Sequence, residues 1–169
     1  MALSISIKRK SQIWSLDLMV AVLIFLCALL IFYKYSINVI DVEEQGVEHL
    51  LLDAKLISSY LVSTGYPEDW TASNVTLIGL TNGEIRLSKE KVQQFSSLAL
   101  SDYTNSRRLL STMNDYYISF EDKNGSLFEI EGISSIGKDY SAENPDNLIK
   151  VERVVIYNSS IIKLMVHVW

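Results

Sequence analysis

The side chains of this sequence that could do chemistry are few, and most of them stand alone. Asn74-Val75-Thr76, Asn124-Gly125-Ser126 and Asn158-Ser159-Ser160 each place a hydroxyl two residues after an asparagine, the spacing that N-glycosylation requires. Asn74, Asn124 and Asn158 are therefore candidate acceptors, although sequons also arise by chance and Asn124 and Asn158 are equally good turn residues. Asp17 is the one acid within an otherwise apolar run, where a carboxylate is costly unless paired. His49 and His167 have no Cys or second His beside them, so no metal is assigned. Asp139, Glu143 and Asp146 share a polar stretch but lack the ordered Asp-x-Asp-x-Asp-Gly spacing of a Ca²⁺ loop. No Ser/His/Asp or Cys/His arrangement, phosphate-cradling glycine loop or paired-carboxylate signature stands out, so neither an enzyme nor a cofactor is expected. Tyr66, Trp70, Tyr116, Tyr117 and Tyr140 can line an adhesive surface or form core and cross-strand pairs.

The element that must position Asp17 runs from Ile13 to Tyr35. From Leu18 to Tyr33 no residue is charged. At about 1.5 Å per residue, the stretch from Ile13 spans roughly 30 Å, the thickness of a bilayer's hydrocarbon core. Lys8, Arg9 and Lys10 precede it, whereas between Tyr33 and Asp53 the one Lys or Arg, Lys34, faces Asp41, Glu43, Glu44, Glu48 and Asp53. The positive-inside rule then puts residues 1–12 in the cytoplasm as a basic tail or leader, residues 13–35 in lipid and the remainder outside. A cleaved secretory signal is the competing reading, but Ile31-Phe32-Tyr33-Lys34-Tyr35 offers no small-residue cleavage site.

Beyond the span, 12 basic residues stand against 19 acidic ones, about −7, which argues against nucleic acid as a partner. The single cysteine, Cys27, permits no intrachain disulfide. Apolar residues continue at Ile37, Ile40, Val47, Leu50, Leu51, Ala54, Ile57 and Leu61, so an amphipathic helix is expected over residues 36–64, with Gly65 as its cap and Gly46 as its weak point. Residues 65–169 then read as an α+β domain. A strand is expected over Val75–Leu80 and closed by Asn82-Gly83, followed by helices at about Lys89–Leu98, capped by Ser88, and from Asp102. Tyr116–Glu121 and Leu127–Ile130 read as a hairpin, residues 133–147 as a surface loop, and Ile149–Tyr157 with Ile161–Trp169 as a second hairpin. The fold class is α+β: a long N-terminal helix, half transmembrane and half amphipathic, packed on an antiparallel sheet.

A basic leader, Gln12-Ile13-Trp14-Ser15-Leu16-Asp17, an apolar span, an amphipathic continuation and a β domain together resemble the type IV pilin-like proteins, specifically the archaeal class III signal peptide group. Gly65-Tyr66-Pro67-Glu68-Asp69-Trp70, Ser73–Leu80 and Val151–Tyr157 also resemble a group of archaeal membrane-anchored proteins with that N-terminus. The resemblance implies a subunit, major or minor, of a surface filament, whose partners are membrane lipid, other pilin subunits and a prepilin peptidase. It implies leader processing before Gln12 or Ile13, and a role for Asp17 in neutralising the α-amine of a neighbouring subunit during assembly. Two departures stand out: aspartate replaces the usual glutamate, and the interval from Gln12 to Asp17 is one residue longer. The alternatives are that Asp17 snorkels to the interface near Lys10, and that the chain is a non-polymerising single-pass protein whose outer domain binds a ligand or partner protein.

Overall fold

The computed structural model describes the backbone of residues 4–169 and the side chains of residues 16–36 and 46–169. Eight elements follow along the chain: α1 (Ser4–Leu61), α2 (Lys89–Ser101), α3 (Tyr103–Leu109), β1 (Tyr116–Glu121), β2 (Ser135–Gly137), α4 (Tyr140–Glu143), β3 (Ile149–Tyr157) and β4 (Ser160–Val168). They fall into two compact units, one up to Gln45 and one from Gly46 to Trp169. In the first unit the described side chains belong to the apolar segment of α1.

In the second unit, the last turns of α1 bury Ala54, Ile57 and Leu61. The apolar stripe expected there thus does face a core, with Leu50 packed at its margin. The helix stops at Leu61, short of Thr64, because Ser63 N–H turns back to Tyr60 O and Gly65 adopts a left-handed φ of 75°. A helix end leaves its last carbonyls without intrahelical donors. Here the chain returns to supply them. Leu80 N–H donates to Leu61 O, Thr81 Oγ1 to Val62 O, Thr81 N–H to Ser63 O and Lys91 Nζ to Thr64 O.

This explains why Val75–Leu80, expected as a strand, is not one. It meets Tyr66 through a single bridge at Leu77, with Thr76 and Leu77 N–H both donating to Tyr66 O, and then turns Leu80 N–H to the end of α1. Gly79 lies so close to Ser63, Thr64 and Gly65 that a Cβ would strike their backbone. The Asn82-Gly83 turn forms as expected, with Thr81 bridging Leu87.

α2 begins where Ser88 predicts, its Oγ accepting from Lys91 N–H, and its buried face carries Val92, Phe95 and Leu98. Asp102 caps α3. The sheet is antiparallel in the order β2-β1-β4-β3. The β3–β4 hairpin turns through Asn158 and Ser159, at left-handed φ values of 47° and 64°. Leu127–Ile130, expected to pair with β1, contributes only the Glu121–Leu127 bridge and the bond from Phe128 N–H to Phe120 O. Glu131 and Gly132 then turn left-handed, which reverses the chain and brings Ser135–Gly137 alongside β1 instead. The stretch 133–147, expected as loop, accordingly holds β2 and α4.

One face of the sheet is the core: Tyr116, Ile118 and Phe120 of β1 stand beside Val168, Val166 and Leu164 of β4 and are fully buried. The amphipathic end of α1 shares this face with α2, whose Phe95 stacks on Tyr116 at 6.1 Å. The opposite face is covered as well: Met165 and His167 are 1% and 5% exposed. Tyr140 of α4 lies across His167 at 4.9 Å between ring centres, and Tyr117 and Trp169 complete an aromatic cover. The same face carries two ion pairs beside Met165: Lys163 with Glu152 across β4 and β3, and Lys150, opposite His167, with Glu121 of β1.

Candidate functional site

The residues assigned to assembly sit at the head of the apolar segment. Leu16–Ser36, 21 residues, is long and apolar enough to cross a membrane, and none of it is buried within the protein. Leu18, Phe25, Ile31 and Phe32 are all exposed, as is Cys27, so apolar surface encircles the helix rather than forming one stripe. Hydrocarbon is the solvent in which such a helix gains by having all its backbone bonds internal and its side chains outward. A signal sequence passes the same test of length and composition. Asp17 is the second residue of the span and is exposed. Gln12 and Ile13 fall within α1, but their side chains lie outside the described residues, as do those of Lys8, Arg9 and Lys10.

The three sequon asparagines are all exposed, but they are held differently. Asn74 Oδ1 accepts from Thr71 N–H at 2.6 Å and Thr71 Oγ1 at 3.1 Å, and the hydroxyl of Thr76 donates to Tyr66 O at 3.0 Å. Asn124 sits in the turn organised by Asp122, whose Oδ1 accepts from Asn124 N–H and Ser126 N–H. These bonds hold the Asp122 carboxyl below its usual value. Asn158 stands at the left-handed tip of the β3–β4 hairpin. The two tips bound one groove of about 530 Å³, with Asp122 and Lys123 on one side, Ser159 and Ser160 on the other, and Phe128 and Ile161 along it.

The remaining polar clusters serve the fold. Asp115 accepts from Arg107 at 2.9 Å and Lys138 at 3.1 Å, and Lys138 also reaches Glu143 at 3.0 Å, tying α3, β1 and α4 together. Asp53 of α1 accepts from Thr112 Oγ1 and Asn114 Nδ2, both at 2.8 Å. Lys91 is buried, and its Nζ bridges Thr64 O and Thr81 O, each at 2.8 Å. Burial pushes the Lys91 ammonium below its usual range, against the pull of Glu68 and Asp69. Sequence reasoning missed Asp53, Lys91 and Asp115. For Lys91 a signal exists, since it lies four residues before Phe95 and seven before Leu98, on the apolar face of α2.

His167 is buried, and its Nδ1, like Arg107 Nε, has no hydrogen-bond partner among the described residues. Burial and the neighbouring Lys150 lower its pKa. Of the five aromatics considered for an adhesive surface, Tyr66 is exposed, while Trp70 and Tyr116 belong to the core and Tyr117 and Tyr140 to the cover over His167. Trp70 donates its indole N–H to Gly79 O. They are packing residues in the main, and do not form one surface. Among the described residues, no group of three or more His, Cys, Asp or Glu side chains is arranged to hold a metal. Asp139 instead caps α4 through Ser141. No family model, curated protein or solved structure matches the chain.

Proposed function

We propose that this chain is a structural subunit of an archaeal type IV pilus-like surface filament, anchored and then assembled through its apolar N-terminal helix. The observation that carries the reading is the pairing of two opposite surfaces on α1. Leu16–Ser36 buries nothing within the chain, whereas Ala54, Ile57 and Leu61 are spent on the core of a folded domain. A helix built in this way presents a folded domain while leaving an apolar segment for lipid or for neighbouring helices. The resemblance of residues 12–17 to a pilin-like leader supplies the second of those destinations, with the domain outside and Lys8, Arg9 and Lys10 inside.

In this reading the role of the domain is structural rather than catalytic. Removal of the leader frees an α-amine, and the carboxylate of Asp17 in a neighbouring subunit neutralises it within an apolar bundle. An ion pair in that setting is worth most as a register device, since either charge left alone there is costly. The deciding experiment is intact mass and terminal sequencing of the protein from native membranes. A start at Gln12 or Ile13 supports processing and assembly. A start at Met1 or Ala2 overturns it and leaves the non-polymerising single-pass protein, whose outer domain binds a ligand or partner protein.

A further inference from the structure

The geometry points to Asn124 and Asn158, at the two hairpin tips, as N-glycosylation sites, and to Asn74 as a silent sequon. The inference rests on the outward placement of the domain proposed above. Transfer forms a bond from the asparagine Nδ2 to the anomeric carbon of a sugar carried on a lipid-linked phosphate. The sugar–oxygen bond to phosphate breaks, the phosphate leaves with the electron pair, and the amide gives up one proton. The acceptor amide must therefore be free to rotate, and the hydroxyl two residues on must be free to meet the transferase.

The three sequons differ most clearly at the hydroxyl. Thr76 has already committed its hydroxyl to Tyr66 O, and the Asn74 amide oxygen is held by Thr71. The Tyr66–Leu77 bridge fixes the same segment from the other side. Ser126 and Ser160 are exposed, and among the described residues their hydroxyls make no hydrogen bond. Asn158 is exposed at the hairpin tip with φ 47°, and the Asn124 side chain bonds only within its own turn, its Nδ2 reaching Asp122 at a long 3.4 Å.

A second observation ties the two tips together. Lys123 and Ser159, the chain neighbours of Asn124 and Asn158, line the groove between the hairpins, while Asn158 itself lines a second cavity with Ser88, Lys89 and Tyr157. Apolar surface is left open at this end of the domain, with Leu127 65% and Ile161 66% exposed. The reducing-end sugars, with one polar rim and one apolar C–H face, suit that surface and shield it from water.

The test is glycopeptide mapping and intact mass of the full chain from its native membranes, alongside Ser126→Ala and Ser160→Ala, which destroy the sequons yet keep both turn asparagines. Mass increments on the Asn124 and Asn158 peptides, each lost in its own variant, with a bare Asn74 peptide, are the expected result. Labelling of intact cells with a membrane-impermeant amine reagent, read at the exposed Lys123 and Lys150, reports placement separately. Labelled lysines with bare Asn124 and Asn158 overturn the modification alone. Protected lysines with bare sequons overturn it together with the outward placement. An occupied Asn74 overturns the assignment of that sequon as silent.

Discussion

At the scale of single residues, burial without a partner is what makes a side chain informative. His167 lies under Tyr140, opposite Lys150 in the register of β3 and β4, with Tyr117 and Glu121 on the β1 side and Nδ1 unpartnered among the described residues. Its folded pKa lies below the ordinary 6.5, so the unfolded chain binds the additional proton as pH falls through that value. Stability contributed by the neutral ring is complete above about pH 6.5 and declines below it, until the folded-state group also titrates. The full chain in detergent should therefore show a denaturant midpoint that falls between pH 6.5 and 5, and His167→Phe should flatten that dependence. An unchanged slope in the variant would assign the effect to other groups. Lys91 presents the opposite case, a buried cation whose two carbonyl partners have no other donor of comparable reach. Lys91→Met keeps the apolar stem but takes the donor from Thr64 O and from the buried Thr81 O, and should cost about 3 kcal/mol by chemical denaturation.

At the scale of elements, two glycines bear on α1 in opposite ways. Gly46 is helical, and among the described residues a Cβ there meets nothing within 4 Å. Gly46→Ala should therefore stabilise the helix by about 0.5–1 kcal/mol, measured as a rise in helical circular dichroism and in melting temperature. Gly79 has an ordinary φ, but the chain that supplies the carbonyls of Leu61, Val62 and Ser63 passes too close for any side chain. Gly79→Ala must push the 63–65 turn off the end of α1, and a loss of about 3 kcal/mol or more is expected from the same denaturation series. The contrast separates a glycine tolerated by a helix from one demanded by a close backbone approach.

At the scale of the whole molecule, the proposed assembly makes Asp17 a residue whose importance appears only between copies. Asp17→Ala removes a charge from an otherwise apolar, exposed segment, so membrane insertion and the melting temperature of the domain should be unchanged while filaments disappear from electron micrographs. Normal filaments from this variant would sink the pairing role. The carboxylate is then better read as the snorkelling residue of a permanent anchor.

Chain-local features were legible from the sequence because they depend on neighbours in the chain. The apolar run that ends at Tyr35, the stripe through Ala54, Ile57 and Leu61, the Ser88 cap, the alternation of β4 and the Asn158-Ser159 turn all carry their signal in spacing and residue type. Tertiary structure alone decided where hydrogen bonds crossed between segments. Val75–Leu80 has strand composition, yet it leads into a helix end, where Leu80, Thr81 and Lys91 supply donors to four carbonyls. Leu127–Ile130 has strand composition too, yet the left-handed Glu131 and Gly132 hand its place beside β1 to Ser135–Gly137. The cover over His167 likewise comes from Tyr140, 27 positions away in the sequence. Periodicity records which face a residue turns inward, but not which distant segment will be waiting there.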